Sequence, residues 1–310
     1  MRAYLFPGQG AQAVGMGRAL ANAYPASKAV FDEVDDALGE KLSAVIWDGD
    51  ADTLTLTANA QPALMATSLA VVRALAAEGI EIDDAGFVAG HSLGEYSALA
   101  AAGALDVATA ARLLRLRGSS MQEAVPVGVG AMAAILGLDA EAVSAVAAEA
   151  AEGEVCQAAN DNDPGQVVVS GHKAAVERAC EIAKAKGAKR AMMLPVSAPF
   201  HCTLLQPAAD AMAAALADAE IRQPSVPLVA NVTAAAVRDP EEIRQLLVKQ
   251  VTGAVRWRES VQWMAAHGVT ETVELGAGKA LSGMVRRIDK ALSVVSVATP
   301  EDIAKLKEPV

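Results

Sequence analysis

Through the first 125 residues, short apolar runs alternate with longer stretches whose apolar positions recur at helical spacing. Tyr4-Leu5-Phe6 reads as a strand leading into the turn Pro7-Gly8-Gln9-Gly10. One helix carries Leu20, and another begins near Ser27. Gln61-Pro62-Ala63 opens a third, which runs through Leu75 to Gly79. Gly86-Phe87-Val88-Ala89 is a buried strand by its composition, and Glu95 to Ala102 is a helix stopped by Gly103. Asp106 stands where an N-cap belongs, ahead of a helix that carries Leu113, Leu114 and Leu116 and ends near Arg117-Gly118. This alternation predicts an α/β layer with mostly parallel strands.

The pattern changes near Val125-Pro126. From Gly130 to Ser197 it reads strand 131–136, helix 139–151, strand 155–159, strand 166–170, helix 172–186 and strand 190–196. That order, βαββαβ, is the ferredoxin-like split βαβ unit. Pro126 brackets it on one side, Pro195 and Pro199 on the other. The expectation is a large discontinuous α/β domain, 1–125 and 199–310, with a small ferredoxin-like subdomain, 126–198, inserted in it. The large domain resumes with helix 204–216, strand 228–231, helices 240–249 and 257–267, and strand 272–275, which ends at Gly276-Ala277-Gly278.

Composition narrows the function classes. At 53% hydrophobic and 20% charged residues, a chain of 310 has ample core and no character of disorder. Only 3% is aromatic, so the helices are expected to pack closely through alanine. A net charge of −11 argues against nucleic acid and against an anionic membrane surface as partner. No apolar run reaches the ~18 residues of a transmembrane helix. Met1 to Pro7 enters a strand directly and lacks a signal-peptide layout. Cys156, Cys180 and Cys202 show no metal spacing and fit reduced thiols, which predicts a cytoplasmic protein with no metal site.

The richest stretch chemically is Gly90-His91-Ser92-Leu93-Gly94, a G-x-S-x-G sequence between the strand and the helix just described. Strand, sharp turn, serine, helix is the nucleophile elbow. Its glycines allow the tight turn, and the helix N-terminus offers free N–H groups to an oxyanion. A serine hydroxyl needs a base. Of the four histidines, His91 points away from the turn tip and is structural. His172 and His267 sit at ends of helices and read as surface residues. His201, in Pro199-Phe200-His201, lies where the chain re-enters the large domain, a good place for a base facing a cleft. No acidic third member stands out. An anionic substrate would call for arginine, and Arg112, Arg115 and Arg117 are all candidates, since spacing selects none of them.

Together these segments resemble the malonyl-CoA:acyl carrier protein transacylases. The resemblance covers nearly the whole chain. It rests on Phe6-Pro7-Gly8-Gln9-Gly10-Ala11-Gln12, the Gly90 to Tyr96 segment, Arg117-Gly118 with Met121-Gln122-Glu123-Ala124, Pro164 to Val168, Pro199-Phe200-His201 and Val273 to Gly276. It implies an α/β-hydrolase-like core with an inserted ferredoxin-like subdomain. It also implies Ser92 as nucleophile, His201 as its base and Arg117 as the grip on the malonyl carboxylate. The backbone N–H groups of Gln9 and Leu93 would form the oxyanion hole, and the main-chain carbonyl of Gln250 would orient His201. Phe200 before the histidine goes mildly with malonyl. The implied reaction is ping-pong transfer from malonyl-CoA to the phosphopantetheine thiol of acyl carrier protein, with no metal or redox cofactor. A malonyl loader for a polyketide or malonate-decarboxylase carrier, or a serine thioesterase, is the alternative. Because both partners are acidic, docking would need a local basic patch: Lys184, Lys186, Lys189 and Arg190, or Arg286, Arg287 and Lys290.

Overall fold

In the computed structural model, residues 1–196 and 198–307 are described, and their ten strands divide between two sheets. The first part of the chain contributes β1 (Arg2–Phe6), α1 (Arg18–Ala23), α2 (Pro25–Leu38), α3 (Leu42–Asp48), α4 (Ala51–Thr55), α5 (Thr57–Ala77), β2 (Phe87–Gly90), α6 (Gly94–Ala101) and α7 (Val107–Ala124). Then come β3 (Gly130–Leu136), α8 (Ala140–Ala151), β4 (Cys156–Asp163), β5 (Gln166–His172), α9 (Lys173–Ala185) and β6 (Arg190–Met193). The last part adds α10 (Gln206–Asp218), β7 (Leu228–Ala230), β8 (Ala235–Val237), α11 (Pro240–Thr252), α12 (Trp257–Ala266), β9 (Glu271–Leu275), α13 (Ala280–Ile288), β10 (Ser293–Val297) and α14 (Pro300–Leu306).

The larger sheet has the order β10-β9-β1-β2-β7-β8, parallel throughout except for the edge strand β8. Its centre, β1, explains why the sequence there is continuously apolar. Tyr4 and Phe6 pack among the helices on one face, while Ala3 and Leu5 meet Val255, Trp257, Val261 and Leu281 on the other. Successive side chains of a strand point to opposite faces, and a parallel sheet covered on both sides must be apolar on both. The predicted mixed α/β fold is what the chain adopts.

Two helices differ from the expectation. The third helix starts at Thr57 rather than Gln61, so Pro62 lies inside it. At 21 residues it is long and apolar enough to cross a membrane by length and composition, although polar residues interrupt its apolar runs, and 78% of its most apolar window is buried inside the fold. It is the central helix of the core. The helix capped by the Asp106 side chain runs on to Ala124 instead of ending near Gly118. Gly118 is a packing residue: a Cβ there would lie 2.6 Å from the Cα of Ala58, so its absence lets α7 and α5 touch backbone to backbone. The short elements α3, α4, β8, α13, β10 and α14 had no counterpart in the sequence reading.

The smaller sheet has the order β4-β5-β3-β6 and is antiparallel. With α8 and α9 on one face, this is the βαββαβ arrangement expected. Its other face, with Met132, Ala134 and Val168, packs against Leu194, Val196 and Phe200 and looks toward the larger sheet. β6 ends at Met193, and Ser197, where the sequence reading ended this unit, lies outside the described residues, as do the last three residues assigned to the large domain. β4 runs four residues further than expected, through Asn160-Asp161-Asn162-Asp163. Such residues favour turns. Here the segment finds partners outside its own sheet: Asp161 N–H donates to Val255 O (2.9 Å), Val255 N–H donates to Ala159 O (2.9 Å), the Asp161 carboxylate takes Arg258 (2.7 Å), and Asp163 takes Arg287 (2.8 Å). These contacts fasten the small sheet to α12 and α13.

Candidate active site

The turn after β2 is as tight as the sequence required. Ser92 has φ +53°, a left-handed conformation that non-glycine residues rarely adopt. A Cβ at Gly90 would lie 1.9 Å from the Gly94 backbone, and one at Gly94 would lie 2.2 Å from Phe6 O. Both glycines are therefore steric necessities of the crossing between β1, β2 and α6. Asn231, just past β7, braces the turn: its Oδ1 accepts from Ser92 N–H (2.8 Å) and its Nδ2 donates to Gly90 O (2.7 Å).

Ser92 Oγ lies 2.8 Å from His201 Nε2. His201 Nδ1–H donates to the main-chain carbonyl of Gln250 (2.9 Å), which leaves Nε2 with its lone pair toward the serine. Burial, reinforced by the charge of Arg117, pushes the imidazole down to about 3, so it is neutral and able to accept a proton. Like Ser92, His201 has a positive φ (+58°). The two residues that face each other are both held in strained backbone.

Arg117 is 1% exposed. Its Nη1 donates to Gln61 Oε1 (2.7 Å), and its Nη2 donates to Gln250 Oε1 (2.7 Å) and to Ser92 Oγ (3.1 Å). Its Nε has no partner among the described residues. The other two arginines left open by the sequence are elsewhere: Arg115 pairs with Glu40, and Arg112 reaches Thr109. Gln9 and Leu93 line the same cleft, and their backbone N–H groups donate to no protein acceptor among the described residues. The cleft, about 440 Å³, lies where β1 and β2 end and is closed from the far side by Met132, Ala134, Val168, Leu194, Val196 and Phe200.

His91 turns from the serine, with Nε2–H donating to Asn162 Oδ1 (2.9 Å) and its ring against Trp257, although one side of it lines the cleft. His172 accepts from Val155 N–H in the small sheet, and His267 stacks on Trp263. Gln61, Glu95, Asn162 and Asn231, and the side chain of Gln250, were not found from the sequence. The available signal was a lone polar residue in an apolar run, as at Gln61 in α5. No group of three or more His, Cys, Asp or Glu able to hold a metal occurs among the described residues.

A hydroxyl against a neutral imidazole, with unused N–H groups beside it, can take an acyl group from a thioester and pass it on. The fold and this chemistry define an acyl-transferring α/β enzyme. The chain belongs to the acyl transferase domain family, which it matches over residues 3–299. It is 49% identical over 302 residues to the malonyl CoA-acyl carrier protein transacylase of Bacillus subtilis, covering 97% of this chain and 94% of the relative. The crystal structure of an acyl-carrier-protein-S-malonyltransferase from Bartonella henselae is 54% identical and superposes with a TM-score of 0.96 over 98% of each chain. A malonyl-transacylase solved in complex with a type II PKS acyl-carrier protein is 44% identical, with a TM-score of 0.95 over 98% of each chain.

Proposed function

We propose that this acyltransferase moves a malonyl group from malonyl-CoA to the phosphopantetheine thiol of an acyl carrier protein, by way of a malonyl ester on Ser92, and so supplies fatty acid synthesis. The observation that carries the reading is the buried Arg117, hydrogen-bonded to Ser92 Oγ and without a carboxylate of its own in direct contact. A guanidinium so placed is matched to an acyl chain ending in a carboxylate. The full-length transacylase relatives agree with it.

In the first half-reaction Ser92 Oγ attacks the thioester carbonyl while its proton passes to His201 Nε2. The Gln250 carbonyl, hydrogen-bonded to Nδ1–H, stabilises the imidazolium. The tetrahedral oxyanion lies between the N–H groups of Gln9 and Leu93; losing one such donor typically costs about 10²–10³ in rate. The intermediate then expels coenzyme A, whose thiolate takes the proton from His201. In the second half, the carrier thiol gives its proton to His201, attacks the ester, and Ser92 leaves with that proton. The chemistry calls for no metal or redox cofactor. A cytoplasmic setting goes with three free, buried cysteines.

Intact-mass measurement after mixing with malonyl-CoA tests this. Wild type gains one malonyl group, Ser92→Ala gains none, and His201→Ala labels slower by several orders of magnitude, since nucleophile and base act as a unit. Stoichiometric labelling of Ser92→Ala would remove the assignment. A polyketide carrier is the second reading, favoured by the relative solved with a type II PKS carrier. Transfer rates to the two kinds of carrier protein separate them.

A further inference from the structure

Arg117 is a buried cation with no carboxylate beside it, and such a charge is costly unless something offsets it. The offset lies one amide away. Gln250 Oε1 accepts from Arg117 Nη2 (2.7 Å), and Gln250 Nε2 donates to Oε2 of Glu95 as well as to Ser92 O (2.9 Å). Glu95 sits in the first turn of α6 at 1% exposure, and its other oxygen accepts from Asn231 N–H (3.3 Å). A guanidinium and a carboxylate thus grip opposite ends of one amide. Neither the acyl-transfer steps nor the elbow itself makes use of that carboxylate.

We propose that Glu95 is the counter-charge of Arg117, acting through the Gln250 amide, and that it sets how strongly the site prefers an acyl chain with a terminal carboxylate. It is a positioning residue. The inference rests on malonyl transfer as the reaction. In the empty site Glu95 offsets the guanidinium. When the malonyl carboxylate arrives, it meets a cation already partly neutralised, so it is held firmly enough to be chosen and loosely enough to leave on the carrier. Binding that is equally tight before and during reaction does not speed turnover.

Burial pushes the Glu95 carboxyl up to about 7, against the pull of Gln250, Asn231 and Arg117. Of the groups packed on it, α7 brings the Arg117 cation and α6 the Tyr96 phenol; α11 and the turn after β7 bring only the Gln250 and Asn231 amides, with His201 beyond Gln250. The charge on Glu95 therefore falls as pH drops from 8 to 6, while the malonyl carboxylate stays ionised.

The test compares single-turnover labelling by malonyl-CoA and by acetyl-CoA in wild type and Glu95→Gln. The glutamine removes the charge and keeps one acceptor oxygen, enough for Gln250 Nε2 or for Asn231 N–H but not for both. The malonyl-to-acetyl ratio of kcat/KM is expected to rise about three- to tenfold in the variant, carried by a lower KM for malonyl-CoA. Wild type should approach the same ratio as pH falls from 8 to 6, whereas Glu95→Gln stays flat. His201 cancels from the ratio because both acyl groups use the same base. A purely structural Glu95 would alter both substrates by one factor and leave the ratio independent of pH, and that result overturns the proposal. Should Glu95→Gln not fold, Glu95→Asp takes its place: the shorter side chain draws the carboxylate back from the Gln250 amide and should raise the malonyl-to-acetyl ratio, and an unchanged ratio overturns the proposal. Failure of wild type to take up malonyl at all would instead sink the reading of the reaction.

Discussion

At the scale of single residues, the site is built on a conflict over Arg117. Its charge lowers the basicity of His201, which burial has already reduced. Replacing it with alanine separates two effects. A malonyl carboxylate left desolvated without its partner costs about 2–5 kcal/mol, so Arg117→Ala should lose malonyl transfer strongly while acetyl transfer holds or rises. The second readout is pH. In the proposed mechanism His201 accepts the serine proton only when neutral, so activity should fall as pH drops through its pKa. In wild type that limb lies far below the usual histidine range; in Arg117→Ala it should move upward. The kcat/KM profile with acetyl-CoA measures both, and an equal loss of malonyl and acetyl transfer with an unmoved limb would make Arg117 merely structural. The sequence exposed Ser92 because the steric demands of its turn are written in neighbouring glycines. It left Arg112, Arg115 and Arg117 equal, because only the packing of α7 on α5 decides which of them points inward. Glu95 and Asn231 were silent for the same reason: their partners lie 155 and 139 residues away in the chain, in Gln250 and Ser92.

At the scale of elements, glycine carried two meanings and the sequence could not tell them apart. Gly103 does end its helix, with φ +73°. Gly118 continues one, because what matters there is the 2.6 Å approach to Ala58. Gly118→Ala should therefore lower stability, by about 1–3 kcal/mol from overpacking against backbone, although alanine is the better helix former. Thermal or urea unfolding measures it, and an unchanged or higher stability would show that α5 can yield at that crossing. Strands β1, β2, β7 and β9 of the large sheet were legible because burial on both faces leaves little but apolar residues, whereas the half-exposed edge strands β8 and β10 were not. The end of β4 was not, since its Asn and Asp residues pair with groups that the local sequence does not contain.

Across the whole molecule, two sheets share one cleft, and a chain of net charge −11 must still admit the carrier protein, which the sequence reading expects to be acidic. Of the two basic patches, the second is partly spent, with Arg287 tied to Asp163. In the first, Lys184 and Lys186 pair with Glu181 and Glu149, whereas Lys189 and Arg190 are exposed beside β6 and make no ion pair among the described residues. The strand they begin leads to Leu194 and Val196 at the cleft. Reversing both to glutamate should raise KM for the carrier protein and leave acylation by malonyl-CoA nearly unchanged. Equal transfer rates at low salt, where steering is strongest, would point to another face.

The small sheet enters and leaves its host almost at one point. A Cβ at Gly130, where β3 begins, would lie 2.3 Å from the ring of Pro199. A segment whose two ends touch costs its host little chain entropy to close, whatever its length. Joints cut at 130 and 199 are therefore expected to close readily if this unit is exchanged with that of a relative. A transplant is expected to fold in place only if the donor also brings aspartates that meet Arg258 and Arg287, and an asparagine for His91. Those three contacts, more than the peptide joints, are the sockets into which a foreign sheet has to plug.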